Sequence, residues 1–176
     1  VSGASPVAAL PAGVRDGINY EPGDTSVTLV LRAPNKTNVA VIGDFNNWTP
    51  QATDIMNKTP DGKFFWLRIH PLVPGREYAY QYLVDNNIKI ADPYTEKVLD
   101  PYSDGFIPSS TYPNLKAYPA GQTGVVSLLQ TASLFLPSEP DAPGRVHSDG
   151  SESALRVAEP SYRNRTRSSF RADRRH

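Results

Sequence analysis

The eight residues from Glu77 to Val84 alternate more cleanly than any other part of the chain. Tyr78, Tyr80, Tyr82 and Val84 project to one side, and Ala79, Gln81 and Leu83 to the other. A period of two over this length predicts a β-strand with one face on a core. Asp85-Asn86-Asn87 follows and closes a tight hairpin into Ile88-Lys89-Ile90, since Asn and Asp tolerate left-handed backbone angles. A chain containing this element must supply other strands to cover the tyrosine face.

Those strands are legible. Val27-Thr28-Leu29-Val30-Leu31-Arg32 alternates and ends in the turn Ala33-Pro34-Asn35-Lys36. Val39-Ala40-Val41-Ile42 is apolar on both faces, which suits a central strand covered on both sides. Gly43 and Asp44 break that run, Phe45 offers a ring to the core, and Asn46-Asn47 is turn chemistry. Trp48 then stands at the loop end, as a lid on the core or as a platform for a ligand. Thr49 to Asp61 is a long polar connection tethered by Ile55 and Met56, and Asp61-Gly62 signals a hairpin. Phe64 to Ile69 is rich in strand-formers, with Phe65, Leu67 and Ile69 on one face. Five or more short strands with no helical period predict an all-β fold, an antiparallel sandwich. Its expected core includes Leu29, Val41, Phe45, Leu67, Tyr80, Tyr82 and Val84.

The chain divides by composition. Residues 1–20 are small and Pro- and Gly-containing, an extended lead-in; 21–92 carry the sandwich core. Residues 93–131 set prolines beside aromatics, as in Pro93-Tyr94, Pro101-Tyr102, Phe106-Ile107-Pro108 and Tyr112-Pro113. Proline cannot donate into a ladder, so such a segment is expected to lie flat on a surface as extended chain. Val125 to Thr131 ends it as a short apolar run, one further strand. Residues 132–176 hold eight Arg and no Lys, whereas 1–131 mix six Lys with four Arg. Ser, Pro and Arg dominate there with no usable period, and a disordered tail is expected.

Several classes are excluded or disfavoured. Cysteine is absent, so disulfides and thiolate metal sites are impossible. No apolar run approaches the roughly 18 residues of a membrane-spanning helix. The N-terminal Val-Ser-Gly-Ala-Ser lacks a basic n-region and reads as a cut within a longer protein or a mature terminus, not as a signal peptide. The formal net charge is zero. The Arg-rich end from Arg163 to Arg175 has few interleaved aromatics and reads as a solvated tail, so no nucleic-acid or membrane partner is expected.

Gly43-Asp44-Phe45-Asn46-Asn47-Trp48 resembles the signature of the N-terminal early-set, glycogen-binding-module-like β-sandwich of alpha-amylase-family glycoside hydrolases. The likeness continues in order through Met56, Asp61-Gly62, Trp66, Gly75, Tyr78, Tyr80, Val84-Asp85 and Ala91-Asp92-Pro93-Tyr94. From Gly13 to Thr131 the chain is similar to the leading module of secreted amylases of Bacteroidetes-type bacteria. The resemblance implies an immunoglobulin-like (early-set) fold and a secreted, periplasmic or cell-surface location. In such proteins the Pro-rich segment leads into a catalytic barrel. Here it leads into the Arg/Ser tail, none of the barrel's motifs follows, and the 45 residues of 132–176 cannot hold a barrel of about 250.

The candidate sites follow from both readings. In glycogen-binding relatives an aromatic at the place of Trp48 stacks on a sugar ring, with a Lys at the place of Gln81 and a second Trp at that of Ile88. This chain departs at both, and has Asn86-Asn87 where Asp-Gly is usual. Trp48, Asn46, Asn47, Gln81 and Ile88 are therefore the carbohydrate-binding candidates, with half of the stacking surface missing. No catalytic residue and no metal or other cofactor is expected. Asp44 and Asp85 sit where turn capping explains them, and Asp92, Asp100 and Asp104 lack the dense oxygen spacing of a calcium loop. The expected function is a non-catalytic accessory module that packs on the catalytic barrel of the same parent protein and helps position an alpha-glucan. The alternatives are an autonomous starch- or glycogen-binding module and a generic immunoglobulin-like interaction domain.

Overall fold

The computed structural model describes residues 3–132, and the readings of the tail, including Arg163 to Arg175, lie outside them. Nine strands form two antiparallel sheets, with no α-helix among the described residues. The first sheet joins β1 (Gly17–Tyr20), β2 (Val27–Arg32), β5 (Phe64–Ile69) and β4 (Asn57–Lys58) in the order β1-β2-β5-β4. The second runs β3-β6-β9-β8, from β3 (Val39–Gly43), β6 (Glu77–Val84), β9 (Val126–Gln130) and β8 (Lys97–Leu99). β7 (Ile88–Ile90) shares an edge of β6 with β9, since it pairs with Tyr82 to Val84 while β9 pairs with Glu77 to Tyr80. The architecture is an antiparallel β-sandwich, as the strand pattern predicts.

The core forms where the alternating faces meet. Val27, Leu29 and Leu31 of β2 and Phe65 of β5 pack against Val39 and Val41 of β3, the β6 row Tyr78, Tyr80, Tyr82 and Val84, and Leu129 of β9. Phe45 and Leu67 pack against this cluster but are only partly buried. Each fully buried apolar side chain here contributes about 1.5–3 kcal/mol against exposure. β3 is buried on both faces, as its composition demands, yet it is an edge strand and not a central one. Its open edge is covered by the connection that follows it, where Met56 N–H donates to Val39 O (2.8 Å) and Ala40 bridges Ile55. The lead-in does comparable work: Ser5 bonds Thr37 and Val39 while Val7 bridges Lys58, so it ties β3 of one sheet to β4 of the other.

The core holds one polar cluster. Tyr80 and Tyr82 are fully buried, their rings edge to face at 5.8 Å, and both hydroxyls donate to Oδ2 of Asp92 at 2.8 Å. Oδ1 of the same carboxylate accepts from Tyr94 N–H, and Asp92 N–H donates to the buried Ser127 Oγ (2.7 Å). Asp92 therefore docks the chain beyond β7 onto β6 and β9 together. Burial, reinforced by the Asp92 carboxylate, pushes both phenols well above the usual tyrosine range.

Two outcomes follow for stability. Asp92→Ala leaves two buried hydroxyls without an acceptor and should cost about 3 kcal/mol, against roughly 1.5 kcal/mol for Tyr80→Phe. Urea unfolding measures both, and a loss below about 1 kcal/mol for Asp92→Ala would contradict the arrangement. Because the folded phenols titrate above the unfolded value near 10, their contribution is intact below about pH 10. Above it the unfolded chain releases protons that the folded one keeps, so stability should fall as pH rises. An unfolding free energy that stays level through that range would contradict the burial of these hydroxyls.

Candidate functional site

The Gly43–Trp48 loop is built by local hydrogen bonds. A side chain at Gly43 would place its Cβ 2.4 Å from Ala79 O and 2.9 Å from Tyr80 Cβ, so only glycine allows β3 to lie this close to β6. Asn46 Oδ1 accepts from Gly43 N–H and its Nδ2 donates to Val41 O, both at 2.9 Å. Asn47 and Trp48 then take left-handed backbone angles, φ 50° and 60°, and Trp48 N–H closes the loop on Gly43 O (2.9 Å). Asn46 is thus committed to the turn, while Asn47 is exposed.

Trp48 is half-buried. It packs with Leu115 and Tyr118 against a second apolar cluster, Ala79, Leu99, Val126 and Leu128, on the face of β6 opposite the tyrosines. Leu115 and Tyr118 belong to the β8–β9 connection, which crosses this face as a strap. Lys116 Nζ pairs with Asp44 Oδ2 at 3.1 Å, and Tyr118 OH donates to Gly124 O (2.7 Å). The strap also covers Gln81, whose Nε2 donates to Thr123 O (3.0 Å) and Val125 O (2.8 Å). Gln81 is buried, and its Oε1 has no partner among the described residues. Ile88 stands in the β6–β7 hairpin with 46% of its surface exposed.

The loop carries Asn46, Asn47 and Trp48 together, whereas Gln81 lies beneath the strap and Ile88 across the hairpin from Val84. The two loop carboxylates cap backbone. Asp44 Oδ2 accepts from Ala79 N–H (2.9 Å), and Asp85 Oδ1 from Thr37 and Asn38 N–H (2.9 and 3.2 Å). Those two donors hold the Asp85 carboxyl below the usual range. Asp100 does likewise for its own turn, accepting from Tyr102 N–H and Ser103 Oγ, which lower it in turn. The role of Asp92 had no separate signal in the sequence, where Asp-Pro reads as turn chemistry.

A family model described as carbohydrate-binding module 48, the isoamylase N-terminal domain, matches residues 17–103. That span runs from β1 through the turn after β8. The 1,4-alpha-glucan-branching enzyme of Saccharomyces cerevisiae is 32% identical over 74 residues, which is 42% of this chain and 10% of the enzyme. The chain thus aligns with about a tenth of that relative's length.

The different environments of Trp48 and Ile88 predict different responses. Trp48→Ala should destabilise by about 2 kcal/mol, below the roughly 3–5 kcal/mol of a fully buried aromatic. Ile88→Ala should stay within about 0.5 kcal/mol of the parent. Thermal and urea unfolding of the two variants check this, and equal losses would place the strap contacts of Trp48 in error.

Proposed function

We propose that this chain, whose residues 17–103 match the carbohydrate-binding module 48 family model (the isoamylase N-terminal domain), serves as the non-catalytic accessory module of an alpha-glucan-active enzyme. It packs on a catalytic domain of the alpha-amylase type and helps hold the glucan in place. The family match carries the reading, because it covers β1 to β8 of the sandwich and not an isolated motif. Similarity to a glucan-branching enzyme supports alpha-glucan as the substrate class.

Two features favour an accessory role over a dedicated binding module. The strap holds Trp48 half-buried and takes both N–H groups of the Gln81 amide, so this face offers little free ring surface and few free donors. The turn from Asp100 to Ile107 is held by the Asp100 and Asp104 carboxylates, yet it leaves Tyr102 79% and Phe106 87% exposed. A rigid turn presenting two rings to solvent suits contact with a neighbouring domain.

The affinity for sugar tests the reading. One aromatic platform stacked on a ring contributes about 1–3 kcal/mol, by analogy with stacking on bases, and association itself costs several kcal/mol. Titrating maltoheptaose into the chain should give a dissociation constant near 1 mM, or about −4 kcal/mol. A micromolar constant would overturn the accessory reading in favour of an autonomous binding module. Incubation with glycogen should release no reducing sugar above the buffer rate, and release abolished by Asp44→Ala would mark the chain as an enzyme.

A further inference from the structure

A groove lies beside the strap at the end of β6 away from the β7 hairpin, and reaches Tyr20 of the first sheet. Its main part is an open hollow of about 770 Å³ lined by Arg76, Glu77, Tyr112, Asn114 and Gln130 among others. A recess of about 310 Å³, reaching Glu96 and Lys97, shares Glu77, Tyr112 and Gln130 with it. Together they form a trough with the Tyr112 ring in the middle. Its size falls within the range of small-molecule sites.

The groups around the ring are fixed and still available. Lys97 Nζ sits 4.5 Å from the Tyr112 centroid, donates to its hydroxyl and pairs with Glu77, so the ring is pinned while 41% of Tyr112 is exposed. Pinning before binding lowers the ordering cost of stacking. The Arg76 guanidinium rests 5.0 Å from the Tyr78 ring and meets no carboxylate among the described residues. Gln130 Nε2 donates to Gly75 O at 2.6 Å, which orients its amide and leaves the oxygen to accept. Asn114 offers a further exposed amide.

Charge selects among ligands. Lys97 is paired with Glu77 and Lys116 with Asp44, which leaves Arg76 and Glu96 to offset each other. A phosphate-bearing ligand finds no net positive field, and an apolar peptide would leave planar polar groups unpaired. A neutral ligand with an apolar ring face and many hydroxyls satisfies both the ring and the amides.

We propose that the Tyr112 groove, between Arg76, Glu77, Asn114 and Gln130, is a binding site for a neutral oligosaccharide, an alpha-linked glucose chain. The assignment rests on the alpha-glucan reading above and moves the sugar contact off the Trp48 face. Glu77 and Ile88 lie at opposite ends of the strand, since Ile88 pairs with Val84. Seven residues of strand separate them, about 23 Å. A short oligosaccharide in the groove therefore does not need the hairpin.

The test is a maltoheptaose titration of the full chain, uniformly labelled with nitrogen-15, followed by amide chemical shifts. Shifts are expected at Arg76, Glu77, Thr111, Tyr112, Asn114 and Gln130. Tyr112→Ala should weaken binding about tenfold and Tyr112→Phe should retain it, while Trp48→Ala should stay within about twofold. Arg76→Ala, a surface change, provides a second variant should Tyr112→Ala perturb the fold, and should also weaken binding. Shifts confined to Asn47, Trp48 and Ile88, with affinity lost in Trp48→Ala, would overturn the groove and leave the glucan reading standing. An absence of shifts anywhere at saturating oligosaccharide would overturn both.

Discussion

Two phenols from one strand meet a single carboxylate at the centre of this sandwich, and much of the remaining geometry depends on that meeting. Tyr80 and Tyr82 are too large and too polar to be buried without an acceptor. Asp92 supplies one oxygen to both, and its second oxygen and its N–H reach Tyr94 and Ser127. The chain leaving β7 is thereby turned across the end of β9. From that turn β8 pairs with the outer edge of β9, and the β8–β9 connection packs on the face away from the core.

The strap decides what the outer face can do. β6 presents Glu77, Ala79, Gln81 and Leu83 on that side, and a bare sheet would offer them all to a ligand. The connection closes the middle of the row by placing Leu115 and Tyr118 over the apolar cluster and Thr123 to Val125 over Gln81. The two ends, Glu77 and Leu83, stay partly exposed, and Tyr112 stands beside the Glu77 end. A ring and a glutamine in sequence register with a sugar-binding face therefore become part of a packed layer. The proposed glucan contact moves to residues that share no motif with it.

Fold class was readable because strand alternation is local chemistry. The period of two in Glu77 to Val84 and Val27 to Arg32 assigned the inner face correctly, and Leu29, Val41, Tyr80, Tyr82 and Val84 are buried. The hairpin at Asp85-Asn86 was likewise readable, because its positive φ angles, 49° and 57°, suit those residue types. Val125 to Thr131 gave a strand signal, though nothing in it revealed that β9 would lie between β6 and β8.

What the residues alone determined, then, was the set of strands, their inward faces and the family resemblance carried by the loop after β3. The order of strands, the edge position of β3, the burial of Asp92 and the strap over Gln81 came only with the tertiary structure. The physical reason is the range of the interactions. Alternation and turn preference act over two to four residues and are written in consecutive letters. The acceptor for Tyr80 lies 12 residues away, the carbonyls that bind Gln81 lie 42 and 44 residues away, and Lys97 reaches Glu77 and Tyr112 across 20 and 15 residues. Contacts of that kind are selected by the packing of whole elements, and no short pattern in the chain records them.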